Sequence, residues 1–99
     1  MQDELRDYFA GRLPVRLREI EQAASAARDA GWAGEPLRVF HRLAHSLAGA
    51  GATFGYPEVT EVSHRLECLL RRLLEGAGEE GVGGQVEDLL AELWESRDR

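Results

Sequence analysis

Among the chain's three histidines, His45 has surroundings that folding alone does not explain. On a helical wheel at about 100° per residue, Val39, Phe40, Leu43, Ala44, Leu47, Ala50, Gly51 and Phe54 form an apolar stripe. His45 falls opposite that stripe and is expected in solvent, mid-helix. Arg38, His41 and Arg42 precede it on the same face, and Ala48, Gly49 and Ala52 follow it. A solvated helix face normally carries Glu, Lys, Gln or Arg, so this run of Ala and Gly is anomalous. Gly49 inside a helix costs roughly 1 kcal/mol relative to Ala. Such violations of local preference concentrate at functional or tightly packed positions. A residue four places on lies beside the imidazole, so Gly49 clears the approach to its ring nitrogens for a docking protein.

Neutral imidazole is a nucleophile near pH 7, because the unperturbed pKa of histidine is about 6.5. In-line phosphoryl transfer needs an open path and cations beside the equatorial oxygens. Arg42 and Arg38 on the same helix, and Arg65 on the next, are the candidates. Their local basicity also suits a partner carrying clustered carboxylates. His41 reads as a solvated neighbour, near enough to influence the basicity of His45. His41 and His45 at i,i+4 also form half of a helical metal site, with His64 a conceivable third ligand. His64 falls away from its helix's apolar stripe, however, and no carboxylate joins the pair in a recognised spacing, so no metal is expected. Gly51, flanking the apolar stripe, reads as a close-packing position. Cys68 reads as an incidental thiol, and Glu67 as a surface charge. Paired carboxylates, a Ser/His/Asp set and a phosphate-binding glycine loop are all missing from the sequence.

Helices must position these groups. Fourteen Leu and thirteen Ala stand against nine Val, Ile and Thr combined, a balance that favours helix over sheet. The breaks fall at Pro14, at residues 31–36, at Gly55-Tyr56-Pro57 and in the glycine-rich run of residues 76–84. They predict a short helix from Asp3 to about Arg12 and then, with Pro14 as either the first turn of a new helix or a kink, an amphipathic stretch to about Ala30 along Leu13, Leu17, Ile20, Ala24 and Ala27. The helix bearing His45 then runs from about Glu35 to Phe54, with Gly55 as its stop. Pro57 opens the next, with Val59, Val62, Leu66, Leu69 and Leu73 as its apolar repeat. The last runs from about Gln85 to Arg97, after a flexible connection over residues 76–84. Trp32 and Trp94 read as packing anchors at the bundle ends. The expected fold is all-α: an antiparallel up-down four-helix bundle with a short additional N-terminal helix, one domain over residues 1–99.

The segment Ala44-His45-Ser46-Leu47-Ala48-Gly49-Ala50-Gly51-Ala52-Thr53-Phe54-Gly55 resembles the signature of the histidine-containing phosphotransfer (HPt) domain family. That signature is a His, a Leu two residues on, a Gly four residues on, and a closing Gly after small residues. The likeness continues through Val59, Val62, Leu66 and Glu67, where it implies a local structural contact for Glu67, and upstream over Leu13 to Ile20. It implies a helical bundle whose exposed histidine, here His45, carries a phosphoryl group between receiver-domain aspartates, usually on Nε2. Arg42, Ala48, Gly49 and His41 would then surround the phosphate, with Arg38, Ala52 and Arg65 toward the docked partner. One departure is Ala48, which stands where the family commonly has Lys; the chain contains no Lys, all twelve basic residues being Arg. Arg42, one turn before His45, is expected to compensate in part.

The resemblance further implies partners that are receiver domains of response regulators, a hybrid histidine kinase, or both. No intrinsic cofactor is expected, and Mg²⁺ would sit on the receiver, so the chain would be a carrier rather than an enzyme. The open alternative is a module that binds a receiver or kinase without accepting phosphate. A net charge of −6 argues against nucleic acid and anionic membranes as partners. One cysteine cannot form an internal disulfide, and no apolar stretch approaches the roughly 20 residues a membrane span needs. A cytoplasmic monomer is the expectation.

Overall fold

The computed structural model describes residues 2–78 and 80–97. They form α1 (Gln2–Asp29), α2 (Gly34–Phe54), α3 (Pro57–Leu74) and α4 (Val82–Ser96), with no strand among them. Helix α2 lies between α1 and α3, and α4 closes the ring by packing on α3 and α1. Leu13, Leu17 and Ile20 of α1, Leu37, Phe40 and Leu47 of α2, Val59, Leu66 and Leu70 of α3, and Val86 and Leu93 of α4 fill the middle.

The short additional N-terminal helix does not exist as a separate element. Helix α1 runs unbroken through Pro14. An interior proline costs about 3 kcal/mol or more, because it removes a backbone donor and crowds the preceding turn. Burying one large apolar side chain contributes about 1.5–3 kcal/mol, and the buried stripe of α1 continues on both sides of the proline as Phe9, Leu13, Leu17 and Ile20. The Phe9 ring stacks on Phe54 at 5.0 Å and meets Tyr56 edge-on at 5.2 Å. Tertiary packing therefore outweighs the local penalty, and the helix is held as one piece.

Helix α4 also begins earlier than expected, at Val82 rather than near Gln85. Val82 is buried, so part of the glycine-rich stretch is recruited into the bundle by an apolar anchor. Glu79, in the expected flexible connection, lies outside the described residues. Trp32 and Trp94 both pack partly buried against the core.

The joint between α2 and α3 determines what meets His45. Gly55 ends α2 in the left-handed region at φ +81°, a conformation that only glycine adopts readily. The Tyr56 N–H then donates to the Gly51 carbonyl at 2.8 Å, and Pro57 starts α3 in its first turn. A methyl group added at Gly51 would lie 2.5 Å from Thr60 Oγ1, 3.1 Å from Thr60 N and 3.2 Å from the Tyr56 carbonyl oxygen. Gly51 is thus the close-packing position that its place beside the stripe suggests. Its missing side chain lets α3 come against α2, and Glu67 of α3 arrives beside His45 of α2.

Candidate functional site

His45 projects from the middle of α2 with 72% of its side chain exposed. Its Nδ1 lies 2.8 Å from Oε1 of Glu67, whose own side chain is 9% exposed. Burial opposes ionisation of Glu67. The hydrogen bond from His45 and the charges of His45, Arg71 and His41 act the other way, and together they hold the carboxyl below its ordinary value. An ionised carboxylate accepts hydrogen bonds and cannot donate them. In the neutral ring Nδ1 of His45 must therefore carry the proton, which leaves the lone pair on Nε2. A buried acid thus orients an exposed imidazole and selects its neutral tautomer.

Other groups converge on the same carboxylate. Arg71 Nη2 lies 3.5 Å from Glu67 Oε1, His64 Nδ1 lies 3.5 Å from Oε2, and His41 Nε2 lies 3.9 Å from Oε1. His41 is not the solvated neighbour expected: its side chain is only 25% exposed, and its Nε2 has no hydrogen-bond partner among the described residues. It occupies the flank of α2 that turns toward α3. His64 Nε2 lies 3.8 Å from Cys68 Sγ. Among the described residues, no group of three or more His, Cys, Asp or Glu side chains is arranged to hold a metal ion.

Ala48 is a second correction. It is buried, at 8% exposure, and its carbonyl accepts a 3.2 Å hydrogen bond from the Thr60 hydroxyl. Helix α2 has neighbours on both sides, so its buried arc is wider than a single stripe and takes in the position three after His45. Gly49 and Ala52, in contrast, are exposed, and a methyl group at Gly49 would meet nothing within 4 Å. The small residues exposed on the His45 face are therefore Gly49 and Ala52, without Ala48.

The expected cations are not brought to His45. Arg42 Nη2 and Arg38 Nε pair with Glu35, at 3.5 Å and 3.2 Å. Helical side chains lean toward the N-terminus, so an arginine one turn before His45 reaches away from it. Arg65 turns to α4, where its guanidinium lies 3.2 Å from Glu92. A contact the sequence did not suggest comes from α1: Arg16 Nη2 donates to Ser46 Oγ at 3.1 Å, next to His45 in the chain. Glu67 as the orienting acid was also missed. Its signal was a carboxylate beside Leu66 and four residues after Ser63, on the inner side of an otherwise apolar stripe.

A ring of four helices with an outward imidazole in the middle of α2, backed by a buried carboxylate of α3, defines a class of small helical-bundle modules. The family model of the Hpt domain matches residues 4–96, nearly the whole chain, and the chain belongs to that family. Hpt domains are histidine phosphotransfer modules of two-component phosphorelays, phosphoryl carriers rather than classical enzymes, and they interact with receiver domains and kinases. No curated protein and no solved structure matches the chain. Among the described residues, no helix is long and apolar enough to cross a membrane.

Proposed function

We propose that His45 accepts a phosphoryl group from the phosphorylated aspartate of one receiver domain and passes it to another. The observation that carries this reading is the 2.8 Å contact from Nδ1 to buried Glu67, which leaves Nε2 free of that contact on the helix face that also exposes Gly49 and Ala52. In the transfer, the Nε2 lone pair attacks phosphorus and forms the N–P bond. The acyl phosphate P–O bond breaks, and its electron pair leaves with the aspartate carboxylate. The ring becomes a phosphorylated imidazolium, and the negative Glu67 facing Nδ1–H stabilises the charge that develops there. Return transfer reverses these steps on the second receiver, and Mg²⁺ belongs to the receiver in both directions.

Gly49 and Ala52 form the floor on which the receiver docks, and Arg38 lies toward its rim. The up-and-down antiparallel course belongs to this reading, supported by the short connections and by each helix having two neighbours. So do a single domain over residues 1–99, a monomeric state and a cytoplasmic location. The test is incubation with a receiver phosphorylated on aspartate, in Mg²⁺, comparing the native chain with His45→Gln. Acid-labile, base-stable label that disappears in His45→Gln is the expected result. Binding without label would instead make the chain a receiver-binding module that does not carry phosphate.

A further inference from the structure

Phosphoryl transfer at His45 calls for a cation, and the arginines of α2 and α3 are already engaged. Arg38 and Arg42 are held by Glu35, Arg65 by Glu92 and Arg71 by Glu67. Arg16 of α1 is different. Among the described residues no carboxylate pairs with it, although Glu19 lines the same shallow depression. Its guanidinium donates to the Ser46 hydroxyl at 3.1 Å and sits 5.8 Å from the centre of the Phe9 ring. The Phe9 ring is buried, so the side chain is propped against a fixed surface with its charge delivered to Ser46, the residue that follows His45 in the chain.

We propose that Arg16 is the phosphate-positioning residue of this site, exchanging its Ser46 contact for the oxygens of the phosphoryl group on His45. The proposal rests on the phosphocarrier reading above. Three physical points support it. Ser46 directly follows His45 in α2 but projects about 100° round the helix from it, an arc that a long arginine side chain released from Ser46 crosses to reach the phosphoryl group. A hydrogen bond to a charged phosphoryl oxygen is stronger than one to a neutral hydroxyl, so the exchange is downhill. The planar guanidinium can also engage two oxygens at once. The cation thus comes from a neighbouring helix, where reading α2 alone would not find it.

The experiment uses the whole chain and phosphoramidate, a small donor that reacts with imidazole, so no receiver is needed. His45 Nε2 attacks phosphorus, and ammonia leaves with the electron pair of the broken P–N bond. Arg16→Ala is expected to lower the second-order rate of His45 phosphorylation about five-fold, equivalent to about 1 kcal/mol. It should also reduce the dependence of that rate on salt. Arg16→Lys, which keeps the charge but cannot engage two oxygens at once, restores only part of the rate, whereas Ser46→Ala, which removes the tether and keeps the charge, stays within about two-fold of native. In the native chain the Arg16 Nε–H resonance shifts on phosphorylation. An unchanged rate in Arg16→Ala, with an unmoved Arg16 resonance in the phosphorylated native chain, overturns the proposal and leaves His45 as carrier. Failure of the native chain to take label on His45 overturns both.

Discussion

Replacing Glu67 probes the nucleophile without touching it. Glu67→Ala removes the acceptor 2.8 Å from Nδ1, and a side chain 72% exposed to solvent is then free to rotate and to exchange tautomers. The loss has two parts: the ring no longer holds Nε2 outward, and the imidazolium that forms on attack loses its counter-charge. Exposed ion pairs contribute about 0.2–1 kcal/mol, and hydrogen bonds to charged groups about 1.5–3 kcal/mol. One partner is exposed and the other is 9% exposed, so the contribution falls between these limits, at about 1–2 kcal/mol. At about 1.4 kcal/mol per tenfold, phosphoryl uptake slows by about 5- to 30-fold. Glu67→Gln keeps an acceptor oxygen but not the charge, and falls between native and Glu67→Ala. The assay is the rate of label incorporation from a phosphorylated receiver, with circular dichroism confirming that each variant is folded. A folded Glu67→Ala that takes up phosphate at the native rate would refute the claim that the buried acid directs the nucleophile.

Gly51→Ala should destabilise the bundle by about 1–3 kcal/mol through overpacking against Thr60 and Tyr56. Gly49→Ala, in open space, should raise stability by up to about 1 kcal/mol through helix propensity while slowing receiver-driven transfer; thermal melts and transfer assays separate the two. Because the fold lowers the Glu67 pKa below 4.5, the carboxylate's contribution is complete above that value and is lost as pH falls through the folded-state value. Urea denaturation from pH 3 to 7 should therefore show a steeper acid loss in the native chain than in Glu67→Gln. Arg42→Ala should leave phosphoryl uptake within about two-fold of native, since Arg42 is paired with Glu35 rather than turned to His45.

How much of this was legible depended on whether a residue's role is local. The exposure of His45, the open space at Gly49, the stop at Gly55 and the start at Pro57 follow from helical spacing and backbone preference within one segment. Pro14 misled because its penalty is local, whereas the burial of Phe9 and Leu13 that overrides it is tertiary. Ala48 was misplaced because a wheel gives angles but not how many neighbours a helix has. The Glu67 contact spans 22 positions and that of Arg16 with Ser46 spans 30, separations at which no periodicity speaks. Arg42 and Arg65 had the right charge and lay in the right region, but Glu35 and Glu92 claim them.

The central claim is that Nε2 of His45 carries the phosphoryl group while Nδ1–H faces Glu67. Nitrogen-15 NMR of the chain loaded by a phosphorylated receiver tests it most directly, through phosphorus coupling and proton attachment at each ring nitrogen. The account predicts phosphorus on Nε2 of His45 and a proton retained on Nδ1, with the label discharged by a second receiver. Phosphorus on Nδ1, or on any residue other than His45, would contradict it.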